Sequence, residues 1–77
     1  MAKEKEKGGG AVYRVTEVIG TSANSWEDAA RNAVKTAAKS LRDLRIAEVT
    51  KLDVKVDDNG KISQFRARLS LSFKYDA

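Results

Sequence analysis

Residues 61–75 read KISQFRARLSLSFKY. Phe65, Ala67, Leu69, Leu71, Phe73 and Tyr75 alternate with Gln64, Arg66, Arg68, Ser70, Ser72 and Lys74. Successive side chains of a strand point to opposite faces, so this period of two marks a long β-strand. One face is core, and the other is polar and small with two arginines. A strand this long and regular belongs at the centre of a sheet.

Just before it lies Asp57-Asp58-Asn59-Gly60-Lys61. Asn-Gly between two strand-like runs is a strong hairpin signal, because both residues accept the positive φ of a tight turn. The run on the far side, Ile46 to Val56, is therefore an antiparallel partner. Its apolar residues change parity: Ala47 and Val49 share one, while Leu52, Val54 and Val56 share the other. A regular strand does not bury both sets on one face. A bulge or a change of packing partner is expected near Thr50–Lys51.

A helix precedes that strand. Ser25-Trp26-Glu27-Asp28 resembles a capping box, with a hydroxyl at the N-cap and a carboxylate three residues on. Glu27 and Asp28 oppose the positive end of the helix dipole, and Lys39 and Arg42 are expected at the negative end. Trp26, Ala29, Ala30, Ala33, Val34, Ala37, Leu41 and Leu44 recur at three- and four-residue spacing, predicting one apolar stripe. The stripe is mostly alanine, so the helix packs close. Arg31, Lys35, Lys39 and Arg42 form the opposite, solvated face.

Upstream, Ala11 to Ile19 (AVYRVTEVI) reads as a first strand ended by Gly20-Thr21-Ser22. Tyr13, Val15 and Ile19 share one face, with Glu17 among them. Residues 1–10, MAKEKEKGGG, alternate charge and then run into glycine, predicting a flexible charged tail ahead of a domain spanning 11–77.

These elements make an α+β unit of order β-α-β-β. A right-handed crossover followed by a hairpin gives a three-stranded antiparallel sheet of order 1-3-2, half-wrapped around one helix. The helix covers the apolar face. The polar face, with Arg14, Glu48, Arg66 and Arg68 as candidates, has no helix left to cover it.

The chain has 77 residues, with no Cys and no His. A domain of about 60 residues buries only about 60% of its unfolded surface, so it leans on disulfides, a metal or oligomerisation. Without Cys or His, oligomerisation leads. The same absences remove the usual nucleophile, general base and soft metal ligands, and no clustered acid pair or phosphate loop replaces them. Catalysis is not expected. Formal charge is +4, of which Lys3-Glu4-Lys5-Glu6-Lys7 contributes +1. That mild balance, with no aromatics interleaved among the helix cations, does not point to nucleic acid. No apolar run reaches the roughly 20 residues of a membrane span, and no signal-peptide core is present, so a cytoplasmic protein is expected.

The residues resemble the dodecin family over Val12 to Tyr75. The matching segments are VYRVTEVIGTS (12–22), SWEDAA (25–30), Glu48-Val49 and FRARLSLSFK (65–74). The resemblance implies a hollow homododecamer of cubic symmetry that stores small ligands without turnover. Most dodecins bind riboflavin or flavin mononucleotide in pairs between tryptophans of two-fold-related subunits, with a last-strand glutamine on the ring. Here the tryptophan position, two residues before Glu48-Val49, is Ile46, and the glutamine position is Arg66. Trp26, in the first helical turn, does not substitute. Isoleucine lacks the flat π-face, and arginine offers donors only where glutamine also accepts.

Ile46, Arg45 before it, Arg66 and the Ser-Trp-Glu helix start are similar to the calcium-binding dodecin subgroup. The implied protein is a cage for a small ligand or ion, with calcium as the candidate ion; the alternatives are a flavin-storing dodecin and a ligand-free structural cage. The ligand-site positions are Arg45, Ile46, Glu48, Arg66 and Arg68. Calcium takes six to eight oxygens. Asp57, Asp58 and Asn59 form the densest oxygen cluster, and Glu17 or Glu48 around a symmetry axis is the other candidate. Arg45, Arg66 and Arg68 either take an anion such as phosphate or form inter-subunit salt bridges with Glu17 and Glu48.

Overall fold

A computed structural model describes residues 10–74. The charged run expected to be a flexible tail lies, apart from Gly10, outside the described residues, as does Tyr75. The elements are β1 (Tyr13–Ser22), α1 (Trp26–Ala37), β2 (Leu44–Val56) and β3 (Ile62–Lys74). They form one three-stranded sheet of order β1-β3-β2, with both pairings antiparallel.

Alternation in β3 sets the core. Ala67, Leu69 and Leu71 are buried from the strand side and Ala29 and Ala33 from the helix side, with Val18, Ala30, Val34, Ala37, Leu41 and Leu44 packed around them. Helix α1 lies over β1 and β3 and barely reaches β2. Only the residues over those two strands are therefore sealed.

β1 runs three residues further than expected. Gly20, Thr21 and Ser22 stay in register with Ala67, Arg66 and Phe65. Gly20 is not a terminator but the point where the helix backbone touches the sheet. A Cβ there would overlap the Ala29 carbonyl oxygen and lie 2.8 Å from the Ala33 Cβ. Ser22 is buried and satisfied: its hydroxyl donates to Asp28 Oδ2 (2.7 Å) and accepts from the Asn24 amide (2.9 Å). Ser25 is the N-cap, its hydroxyl accepting from the Asp28 amide at 3.0 Å.

The helix is shorter than the apolar stripe suggests. It ends at Ala37, and the chain tightens through amide bonds from Lys39 to Thr36 and from Ser40 to Ala37. Asp43 then takes a left-handed φ of 53° and turns the chain into β2. Leu41 and Leu44 still pack on the core, but from the connection and from β2. Lys39 and Arg42 therefore lie beyond the helix instead of in its last turn.

The irregularity expected near Thr50 is present. β2 shifts register against β3 between Val49 and Lys51, with further shifts at Leu44/Ile46 and Lys55/Val56. Thr50 is the extra residue, and its hydroxyl donates to the Arg68 carbonyl at 3.2 Å. The shift solves the parity conflict. Ala47 and Val49 sit opposite Leu71 and Leu69, and Leu52 and Val54 sit opposite Ala67 and Phe65, so all four share the helix-side face. The hairpin closes through Asp57, whose Oδ1 accepts from the amides of Asn59 (2.9 Å) and Lys61 (3.0 Å), and through Gly60 at φ 78°.

Candidate functional site

Among the described residues nothing covers the sheet face turned away from α1. Register fixes its occupants, because residues directly opposite on neighbouring strands share a face. Along β3 the rows are Val15–Ser72–Ile46, Glu17–Ser70–Glu48, Ile19–Arg68–Lys51 and Thr21–Arg66–Asp53, with Gln64–Lys55 at the hairpin end. Four of the five expected ligand-site residues, Ile46, Glu48, Arg66 and Arg68, stand together here with Glu17.

Arg45 does not join them. It is the extra residue at the Leu44/Ile46 shift, and its Nη2 turns to Asp43 Oδ1 at 3.4 Å. Arg14 does not join either. It pairs in register with Phe73, which puts it on the helix side, while Tyr13, Val15, Glu17 and Ile19 take the open face. The correction follows from Gly20 and Ser22: the parity that lets them meet the helix carries Arg14 with it.

Arg66 is already engaged. Its Nε donates to Asp53 Oδ1 at 2.7 Å and its Nη2 to Oδ2 at 3.3 Å. This forked hydrogen bond, opposed by partial burial and helped by the charges of Arg66, Arg68 and Lys51, lowers the Asp53 carboxyl from its ordinary value; the same partner raises the Arg66 guanidinium. Arg66, expected to meet either an anion or a carboxylate of a second subunit, thus has a carboxylate within its own chain. Asp53 and Lys51 were not singled out from the sequence. Counting back from Asn59-Gly60 as a two-residue loop places them opposite Arg66 and Arg68, before Thr50 is reached.

Within one chain, the two alternative carboxylate groups expected for a metal stand apart. Asp57 spends its side chain on the turn, and that turn lies beyond the far end of the sheet from Glu17. Among the described residues no three acidic side chains gather closely enough to hold a metal ion. Trp26 sits on the helix side. Its indole N–H donates to the Asp53 carbonyl at 3.0 Å, and its ring meets Phe65 edge-on, with centroids 5.2 Å apart. It braces the helix start against β2 and is far from the Ile46 position.

Much apolar surface stays open. Ten large hydrophobic residues among those described are at least 40% exposed. Val15 (62%), Ile19 (46%) and Ile46 (63%) lie on the open face, and Val49 (46%) and Leu52 (52%) on the part of β2 that α1 leaves bare. A cavity of about 460 Å³ lies between α1 and β1 near Gly20 and Asn32, and one of about 610 Å³ between α1 and β2. No helix among the described residues is long and apolar enough to cross a membrane.

The family model described as Dodecin matches residues 12–76. A protein of Mycobacterium tuberculosis named calcium dodecin is 48% identical over 64 residues, covering 83% of this chain and 89% of the relative. Among solved structures, calcium dodecin from that organism, titled as a calcium-chelating antigen with a novel calcium-binding site, superposes with a TM-score of 0.76 at 47% identity, covering 86% of this chain and 93% of its own. A dodecin from Streptomyces coelicolor gives 0.80 at 39% identity, with 87% and 94% covered.

Proposed function

Because this chain belongs to the dodecin family, we propose that it is a subunit of a hollow homododecamer that binds a small ligand or ion without turnover, calcium before flavin. The observation that carries this reading is the state of the two positions where flavin dodecins hold the ring. Ile46 presents an exposed aliphatic side chain where a stacking platform is needed, and Arg66 is forked onto Asp53. A flavin would meet neither a π-face nor a free acceptor. The 48% identity to calcium dodecin supports the same direction.

Assembly is supported by packing. Among the described residues, one chain seals only two large side chains, Leu69 and Leu71, while ten large hydrophobics stay at least 40% exposed. A domain with that balance is stabilised by a second copy. Spacing argues likewise: Ile46 and Arg66 belong to rows six residues apart along β3, which at about 3.4 Å per residue is roughly 20 Å. A small molecule touching both positions draws them from two copies. Calcium needs more oxygens than any described cluster supplies, so its ligands come from more than one chain, with Glu17, Asp57 and Asp58 as the carboxylates to test. The chain has no Cys, so a reducing cytoplasm does not weaken its fold.

The test is calorimetry on chelator-treated protein. Saturable heat with calcium, and no quenching when riboflavin is titrated in, is the expected result. Riboflavin quenching without calcium binding would restore the flavin-store reading. Heat from neither would leave a structural cage.

A further inference from the structure

The hairpin turn carries a chemistry of its own. It closes through the Gly60 amide, which donates to the Asp57 carbonyl at 3.0 Å, and through the Asp57 amide, which donates to the Lys61 carbonyl at 2.8 Å. Asp57 Oδ1 accepts from the amides of Asn59 (2.9 Å) and Lys61 (3.0 Å). Gly60, at φ 78°, leads the chain into β3. The Asn59 side-chain amide, by contrast, has no hydrogen-bond partner among the described residues. Both residues are exposed, and a Cβ added at Gly60 would meet nothing within 4 Å. An unheld carboxamide thus stands directly before a backbone nitrogen that no side chain shields.

We propose that Asn59 is a site of self-modification, at which the Gly60 backbone nitrogen attacks Asn59 Cγ and converts the asparagine to isoaspartate and aspartate. The Gly60 nitrogen gives its proton to hydroxide and bonds to Cγ. The Cγ–Nδ2 bond breaks, and the departing nitrogen takes a proton from water and leaves as ammonia. The product is a five-membered succinimide. Water then opens the ring: attack at the main-chain carbonyl leaves isoaspartate, with the backbone running through the side-chain carbon, and attack at Cγ leaves aspartate. Nothing is oxidised or reduced, and water is the co-reactant. Asp57 sets the pace, because the Gly60 N–H must first leave the Asp57 carbonyl, so the reaction runs through local opening of a turn that Asp57 holds by three amides. The chain's other two asparagines are held back. Asn24 precedes Ser25, whose amide turns to the Ser22 hydroxyl at 3.4 Å and whose side chain crowds the nitrogen. Asn32 lies within α1, and its Nδ2 donates to the Thr21 carbonyl at 3.1 Å. Isoaspartate adds a methylene to the backbone of the turn and a carboxylate beside Asp57 and Asp58, so the modified hairpin no longer matches the bonds that close it. The modification needs neither assembly nor ligand.

The experiment holds the full chain at mildly alkaline pH and follows its tryptic fragments by mass spectrometry. Fragment Val56–Lys61 contains Asn59 and no other asparagine. It is expected to gain one mass unit with time, to split into isoaspartyl and aspartyl forms with the isoaspartyl form in excess, and to convert faster as pH rises, while the fragments carrying Asn24 and Asn32 stay unchanged. Asp57→Ala is expected to speed the conversion severalfold, and Asp57→Ser, which restores an acceptor oxygen, to bring it back toward the wild-type rate. A folded wild type that stays unconverted where its denatured chain converts would overturn the proposal, as would equal conversion at all three asparagines. Aspartate without isoaspartate would overturn the succinimide route. An Asp57→Ala rate equal to wild type, in a variant with the wild-type circular dichroism spectrum, would overturn the role given to Asp57. Should Asp57→Ala fail to fold, low urea replaces it: conversion is expected to rise in step with hydrogen exchange of the Gly60 amide, and conversion indifferent to that exchange would overturn the same role.

Discussion

Arg66 reaches across from β3 to grip Asp53 of β2, with its Nε 2.7 Å from Oδ1 and its Nη2 3.3 Å from Oδ2. The pair lies on the turn side of Thr50, in a register that runs unbroken from Lys51 opposite Arg68 to Lys55 opposite Gln64. Without the shift between Val49 and Lys51, Asp53 and Glu48 would point to opposite faces. The extra residue therefore decides that both halves of β2 turn the same kind of side chain to the helix and bring Glu48 onto the face that holds the Arg66–Asp53 pair, where Arg66 stands at the position that holds glutamine in flavin dodecins.

Restoring that position should restore a ligand. Ile46→Trp with Arg66→Gln supplies a π-face and a donor–acceptor pair. Stacking is worth about 1–3 kcal/mol per ring, so riboflavin affinity should rise roughly tenfold or more over wild type. Flavin fluorescence quenching measures it. Equal affinity in variant and wild type would mean that these two residues are not what excludes the ring.

The Asp53–Arg66 pair also predicts a pH response. The folded carboxyl is lowered chiefly by its hydrogen bond from Arg66. A depressed carboxyl contributes stability above its unfolded value, about 3.9, and loses it as pH falls through the folded one. Both groups are partly open to solvent, so the effect is small. In an NMR titration of the side-chain carboxyls, the Asp53 midpoint should move up in Arg66→Gln. A midpoint that stays put would mean that the forked pair does not persist in solution.

Deleting Thr50 should be far more damaging than replacing it. Thr50→Ala removes one exposed hydroxyl bond to the Arg68 carbonyl, worth about 1 kcal/mol or less. Deletion flips the half of β2 that lies away from the turn, exchanging Ala47 and Val49 for Ile46 and Glu48 on the apolar face. Circular dichroism and denaturant melts should show a modest shift for the first and loss of the cooperative transition for the second.

Much of this architecture was legible in the sequence because it rests on short-range periodicity. The alternation of Phe65 to Phe73, the Ser25 cap and the parity break at Thr50 each state a local geometry that tertiary packing then kept, and the Asn59-Gly60 signal marked the hairpin although only Gly60 takes a positive φ. The reading fell short where a distant contact decides. Ala29 and Ala33 pull the helix down on Gly20, which sets the parity of β1 and carries Arg14 to the helix side. Asp43 turns the chain so that Leu41 and Leu44, in step with the helical stripe, fall outside the helix. The site was legible as a set of positions, and Asp53, the residue that occupies Arg66, was within reach by counting back across the hairpin from Asn59-Gly60.

Gly20→Ala tests the close approach of helix and sheet. The added methyl has no room against the Ala29 carbonyl and the Ala33 side chain, so α1 must move outward. Overpacking of this kind costs about 1–3 kcal/mol. A denaturation midpoint equal to wild type would contradict the packing described.

Native mass spectrometry of the protein as purified tests the central claim most directly, since one spectrum reads both subunit number and bound ligand. The account predicts a single assembly of about twelve times the 8.4 kDa chain, free of flavin. A monomer or dimer, or a dodecamer carrying flavin masses, would contradict it.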